Sequence, residues 1–399
     1  MALNAAQTRD GREVVVPFPE SEYAARLQAT RQELRRRGLS ALIVFAQESH
    51  YYLTGYDTAG YVFFQAGIIP VDDAPTVLLT RRPDQRQAEV ASLYDDISIW
   101  FNREDANPAI DLRDLLREMG LVGEAVGVEF ATYGLTGANG RLVESALNGV
   151  CRIEDASDIV RQQRLVKSAA ELECVRRAGE LADAAVQAGL EAIKPDGLEG
   201  DITAAALTAM LSRGGEMPSG GPLVNSGPRA LFGRGIGGPR RLLEQDQVLI
   251  ELAASFRRYH VCIEHTAVLG TPDPPQQDMM KVAAEALAQI KDAARAGTML
   301  GRLDEIHRSV LDSAGFGEQR YAACGYALGC TFKPTWMDVP PMIYAGNPLV
   351  MSPGMVFFVH IMIPDTRSGL CAGLGQTFAI SENGAPEVFS QFPEKLHIR

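Results

Sequence analysis

Two helical pairs, each followed by strand-rich sequence, occupy the second half of this chain and limit what it can fold into. The first begins in RQQRLVKSAAELECVRRAGELADAAVQAGLEAIKP, a long helical run entered at Ser168, with Glu171 placed to complete a capping box. A second helix is expected over 201–213, after a PDG turn, and the pair closes at Gly215-Glu216. Roughly a hundred residues later a similar unit recurs. Helices are expected over 276–296 and 303–314, joined by AGTMLG and closing at Gly317-Glu318. Two readings fit: an internal duplication of a helix–helix–sheet unit, or two unrelated helical hairpins.

Between the pairs, QVLIELAASFRRYHVCIEHTAVLG (247–270) reads as a β-hairpin, two apolar runs about a basic break at Arg257 and Arg258. Strand side chains alternate between faces, so His260, Cys262, Glu264 and Thr266 are expected on one face. Glu251, Ala253 and Ser255 share a face of the partner strand. Two carboxylates, an imidazole and a thiol directed into one space mark a candidate active site. His260 is either a general acid or base, oriented by Glu264, or a hydrogen-bonded structural histidine. Cys262 is either a nucleophile or a small packed residue. His265 falls on the opposite face and is expected to be structural. Glu264 either grips a cation or makes a plain strand salt bridge. In NSGPRALFGRGIGG (225–238), Arg229 and Arg234 either meet a substrate carboxylate or form a solvated basic loop.

The first 150 residues or so alternate short strands and helices, as in an α/β domain. Helices are expected over 21–37, 83–94, 107–119 and 135–147, and strands over 41–45, 61–70, 76–80, 97–101 and 125–128. No GxGxxG or Walker loop suggests a nucleotide. The domains are expected to be 1–157 and 158–399. Charged residues sum to −12, and an acidic surface argues against nucleic acid or an anionic membrane as partner. No run of eighteen uncharged apolar residues occurs, so no membrane helix is expected. The first eighteen residues are charged throughout, lack a signal-peptide core and suggest a loose, arm-like terminus. The six cysteines form no CxxC pair and suit free thiols in a cytoplasmic protein.

RLVKSAAELECVRRAGELAD resembles the opening of the C-terminal domain in the creatinase, prolidase and aminopeptidase P superfamily. The resemblance continues in order through the hairpin, CGYALG (324–329), SPGMVFFVHIMI (352–363) and LGQTFAISENG (374–384), and so covers nearly the whole chain. It implies an α/β N-terminal domain followed by a duplicated α+β "pita-bread" domain, with the pocket in a curved sheet. It also implies a homodimer in which the partner's N-terminal domain completes the pocket. In creatinase-like dimers that lid corresponds to YYLTGYDTAGY, with Tyr51, Tyr52, Tyr56 and Tyr61 as an aromatic cover.

Peptidases of this superfamily hold metal through two Asp, one His and two Glu. The positions that match here are Glu251, Cys262, Gly325-Tyr326, His360 and Gly375-Gln376, so all five are altered. The set is poor for a hard dication, and no metal or other cofactor is expected. Tyr259, Glu264 and the RRYH tetrad (257–260) resemble creatinase and its metal-free relatives, in which the equivalent glutamate binds a nitrogen-rich group. GYALGCTFKPTW (325–336) resembles ectoine hydrolases.

The resemblance therefore implies a metal-independent hydrolase of a small non-peptide C–N bond. His260 or His360 would activate water or protonate the leaving nitrogen. Glu264 with Glu251 would hold a cationic amidine, guanidine or amine. Arg229 or Arg234 would meet a carboxylate, and Tyr326, Cys262, Trp336 and Tyr61 would complete the pocket. Two alternatives stay open. Glu251, His260, Cys262, Glu264 and His360 could rebuild a zinc or iron site for a peptidase or lyase, or the fold could serve a binding protein or a non-hydrolytic enzyme.

Overall fold

The computed structural model describes residues 6–9 and 12–399, which divide into two compact units that part between Arg164 and Leu165. The division lies at the end of helix Ile159–Leu165, whose Ile159 and Val160 are buried in the first unit's core.

The first unit is a six-stranded mixed sheet in the order Asp96–Trp100, Val77–Arg81, Ala66–Pro70, Ala41–Val44, Ala125–Val128, Arg152–Asp155. Strand Ala41–Val44 is buried along its length, because helices cover both faces and a long apolar run satisfies both. Several expectations need correction. The strand expected over 61–70 begins only at Ala66, and Gly60–Val62 is a 3-10 turn. The helix expected over 83–94 is confined to Gln85–Val90. A helix at Gln47–Thr54 was not foreseen; it ends at Gly55, whose φ of +78° suits the left-handed cap. Tyr51, Tyr52 and Tyr56 are buried in the core of this unit, so they cannot serve as a lid; Tyr61 is half-buried in the 3-10 turn. The expected loose terminus carries a small antiparallel pair, Ala6–Arg9 with Arg12–Val15, while residues 1–5 and 10–11 lie outside the described residues.

The second unit is a nine-stranded sheet backed by four helices. Helix Ala169–Glu191 starts with the capping box foreseen from sequence: Ser168 Oγ accepts from the Glu171 N–H at 3.3 Å, and Glu171 Oε2 accepts from the Ser168 N–H at 2.9 Å. Helices Glu199–Leu211, Pro274–Ala293 and Gly301–Ser313 follow. The main strand order is Met342–Ile343, Gly325–Ala327, Val356–Asp365, Leu370–Ala379, Tyr259–Leu269, Asp246–Phe256, Leu223–Ser226. Each half thus supplies a helix pair, short outer strands (one in the first half, two in the second) and a long hairpin, and the hairpins meet along Tyr259–Leu269 and Leu370–Ala379. The topology agrees with the duplication reading.

Phe357, Val359, Ile361 and Ile363 of the second hairpin join a core with Ala283, Leu287 and Ile290 of helix Pro274–Ala293. The alternate residues, Phe358, His360 and Met362, face the other way, as strand periodicity requires. The first hairpin turns at Arg257 and Arg258, with φ of +49° and +65°, a two-residue turn with both centres left-handed. That turn fixes the register: Glu251 opposes Glu264, Ala253 opposes Cys262, and Ser255 opposes His260.

Candidate active site

One row crosses the middle of the sheet. Leu223 pairs with Glu251, Glu251 with Glu264, Glu264 with Gly375, and Gly375 with His360. Side chains in a cross-strand row share a face, so two carboxylates and an imidazole from three strands look the same way. Gly375 makes the row possible: a Cβ there would meet Phe358 Cζ at 2.5 Å and Glu264 Cβ at 3.0 Å. A Cβ at Gly373 would meet Glu264 Oε1 at 2.7 Å. The Phe358 ring takes up the space beside Gly375 and stacks on His360, with centroids 5.5 Å apart and planes within 2°.

Above the row lies a cavity of about 700 Å³ whose walls include Glu251, His360, Tyr326, Trp336, Arg234 and Tyr321. At its floor a recess of about 20 Å³ is lined by Glu251, Glu264, Tyr321 and His360 among others, enough for a single water. His360 Nδ1 stands 3.7 Å from Glu264 Oε2, too far for a direct hydrogen bond. Glu264 is 2% exposed and its Oε2 has no hydrogen-bond partner among the described residues.

Burial sets the charge states. It raises Glu251 to about 7, against the Tyr326 hydrogen bond and the Arg234 charge. It raises Glu264 well above the carboxylate range, with the Glu251 charge adding to the effect. It lowers His360 to about 4, helped by His307 and Arg234. At neutral pH the floor therefore presents an uncharged imidazole beside a carboxyl pair that retains a proton.

Of the residues singled out from sequence, Glu251, Tyr326, Arg234, Trp336 and His360 line the cavity, and Glu264 lines the recess. Trp336 Nε1–H donates to the Tyr326 hydroxyl at 2.8 Å, and that hydroxyl points at Glu251 Oε1, 3.4 Å away. Four residues fall elsewhere. Arg229 donates to the Ile236 carbonyl at 2.7 Å and lies 3.7 Å from the buried Glu199, so it braces the glycine-rich loop. Cys262 is fully buried, and burial with the Glu251 charge pushes its thiol well up, which removes it as a nucleophile. Tyr61 belongs to the first unit.

His260 is the main correction. It is fully buried, its Nε2 accepts from the Ser219 N–H at 3.1 Å, and its Nδ1 meets Thr331 Oγ1 at 3.1 Å. Both nitrogens are engaged and the ring is not on the cavity wall, so it cannot take a proton from a substrate or water there. His265 is buried on the opposite face, edge-on to Phe392 and His397. Tyr321 was not anticipated: it sits outside any strand, and burial, with Glu264 and Glu251 nearby, pushes its hydroxyl up to about 12.

The residues at the superfamily's five ligand positions do not fit a dication. They are a buried thiol held protonated, a phenol, a glycine without donor atoms, an imidazole and a single carboxylate. Nor do any three of Glu251, His260, Cys262, Glu264 and His360 bring donor atoms within 4.8 Å of one another among the described residues. One such cluster does exist, Asp304, His307 and Cys324. Its carboxylate is already taken by Arg308 Nε at 2.6 Å, the Ala345 N–H at 2.9 Å and His307 Nδ1 at 3.1 Å. That is a closed hydrogen-bond hub.

Comparison with known proteins agrees with this architecture. Residues 173–382 match Metallopeptidase family M24, and residues 26–166 match the Creatinase/Prolidase N-terminal domain. The chain is 24% identical over 403 residues to the ectoine hydrolase of Halomonas elongata, covering 97% of this chain and 100% of that protein. It is 28% identical over 240 residues to the Xaa-Pro dipeptidase of Pyrococcus furiosus, covering 60% and 67%. The crystal structure of dipeptidase PepE from Mycobacterium ulcerans superposes with a TM-score of 0.82 at 22% identity, covering 96% of this chain and 99% of that one. The shared architecture is the two-domain pita-bread fold.

Proposed function

Because this chain belongs to Metallopeptidase family M24 yet lacks a fitting ligand set, we propose that it is a metal-independent hydrolase of a small non-peptide C–N bond. The substrate class is an amidine, guanidine or amide that carries a cationic nitrogen group. The observation that carries this reading is the orphaned Glu264 Oε2 on the cavity floor, opposite Glu251 and 3.7 Å from His360. A buried acceptor without a partner is costly, and an N–H-rich cation seated in the larger cavity at the mouth of the recess relieves that cost at the carboxyl pair.

In this mechanism the neutral His360 takes a proton from a water in the recess as the water oxygen bonds to the substrate carbon. The imidazolium then returns that proton to the leaving nitrogen as the C–N bond breaks, so His360 is regenerated and one water is the only co-reactant consumed. Arg234, exposed on the cavity wall, meets a substrate carboxylate. The proposal includes a cytoplasmic homodimer whose Tyr61 segment closes the partner's cavity. Val62 and Phe63 beside Tyr61 are 67% and 44% exposed and offer an apolar contact surface.

The test is turnover of a panel containing ectoine, creatine, N-acyl amino acids and Xaa-Pro dipeptides, each with added manganese and with chelator. Turnover of a non-peptide member in chelator, lost in Glu264→Gln, is expected. Cleavage of Xaa-Pro dipeptides alone, and only with metal, would sink the proposal in favour of a rebuilt peptidase.

A further inference from the structure

The two hydrogen bonds of His260 have a direction. Ser219 donates its backbone N–H to Nε2, so Nε2 carries the lone pair and the ring proton sits on Nδ1. Nδ1–H therefore donates to Thr331 Oγ1, and the Thr331 hydroxyl donates onward to the Trp336 carbonyl at 3.3 Å. Ser219 Oγ donates to the Thr331 carbonyl at 2.6 Å, so the segments on either side of the imidazole are also joined directly. A second ring proton would face the Ser219 N–H, donor against donor.

Both joined segments build the cavity wall: Gly220, Gly221 and Pro222 on one side, Pro334, Thr335 and Trp336 on the other. Their contact leaves no slack. A Cβ at Gly221 would meet Trp336 Cζ3 at 2.4 Å, and one at Gly220 would meet Cε3 at 3.2 Å. The Trp336 indole N–H then continues the chain to the Tyr326 hydroxyl and so to Glu251.

We propose that His260 is a positioning residue: it clamps the 219–222 and 331–336 segments together and, through Thr331, Trp336 and Tyr326, orients Glu251 on the cavity floor. This holds whichever reaction the cavity performs, and it explains why an imidazole in the most chemically dense stretch of the chain faces away from the substrate space.

Trp100 and Trp336 are the only tryptophans, so Trp100→Phe leaves Trp336 as the sole indole reporter. In that background Trp336, 6% exposed, is expected to resist acrylamide quenching. His260→Leu removes both hydrogen bonds and should raise the quenching constant about threefold and shift emission to the red, as in a local opening. His260→Gln keeps one acceptor and one donor and should restore most of the protection. Thr331→Val deletes only the acceptor hydroxyl at nearly constant volume and should move Trp336 in the same direction as His260→Leu. It also keeps the test decisive should His260→Leu fail to fold. Trp100, read in a Trp336→Phe background, should not respond to Thr331→Val. Trp336 staying shielded in both His260→Leu and Thr331→Val would overturn the proposal. So would His260→Gln being as exposed as His260→Leu, or Trp100 opening together with Trp336.

Discussion

In the first hairpin of the second unit the central row places Glu251 opposite Glu264; in the second hairpin the matching positions hold His360 and Gly375. The two hairpins meet at the middle of the sheet, and each packs the long helix of its own half behind it, Ala169–Glu191 or Pro274–Ala293. One supplies two acids, while the other supplies a base and a gap. The histidines make the same point. His260 has partners on both nitrogens and holds loops together. His360 stands 3.7 Å from a carboxylate oxygen that lacks a hydrogen-bond partner among the described residues. Chemistry is expected where the polar groups are left unsatisfied, and scaffolding where they are not.

The most severe way to test that contrast is to remove the reactive pair. His360→Ala should lower kcat on the identified substrate by about 100- to 10,000-fold, the range for loss of an acid–base group. Glu264→Gln, which removes the partner for the substrate's cation, should lower kcat/KM by about 100-fold or more. Steady-state kinetics that leave either variant within a fewfold of the parent would erase the distinction between the hairpins.

A smaller effect separates the two acids. Glu251 is raised to about 7 by burial, so it takes up a proton as pH falls through that value and loses its hold on a cation. Affinity for a cationic ligand such as guanidinium, followed by calorimetry, should fall by roughly tenfold per pH unit below about 7. Glu251→Gln should flatten the profile. The sign for stability is separate: a carboxyl group raised in the folded state favours folding below its unfolded value. That contribution is lost as pH rises through about 7.

The gap in the second hairpin can be filled. Gly375→Ala sets a methyl against Phe358 and the stem of Glu264 and should cost about 1–3 kcal/mol in urea unfolding. The same methyl introduced at Gly137, where nothing lies within 4 Å, should not incur that penalty. The smallest effect lies away from the sheet: Ser168→Ala removes the capping box of helix Ala169–Glu191 and should cost about 1 kcal/mol.

Much of this was legible in the sequence, for identifiable reasons. Alternation with a period of two placed Glu251 and Glu264 on a common face, and the Arg257-Arg258 break between two strand-forming runs marked the turn. Ser168 and Glu171 announced their helix by local chemistry alone. The fate of His260 was not legible, because alternation gives the face of a strand and not what covers it. The covering groups, Ser219 and Thr331, are 41 and 71 residues away in sequence. Tyr321 was missed for the same reason, being delivered by a loop without periodicity. Helix Gln47–Thr54 was missed because aromatic residues before a glycine read as a turn when their burial is unknown.

The line where the hairpins join has only two paired positions, Glu264 with Gly375 and His265 with Leu374, against eleven and ten inside the hairpins. On one side, Thr377 Oγ1 stands in for a ladder bond, accepting from the Cys262 N–H at 3.0 Å and donating to its carbonyl at 2.7 Å. On the other, Thr266 Oγ1 accepts from the Gly373 N–H at 2.7 Å and donates to its carbonyl at 3.1 Å. Hydroxyl groups thus act as spacers that hold two backbones apart. Mechanically this line is a perforation: under a pull across the strands the domain should tear there first, leaving each hairpin whole. A ligand held by Glu264 on one side and His360 on the other would be a staple across the perforation, and single-molecule pulling should register its binding as a higher rupture force.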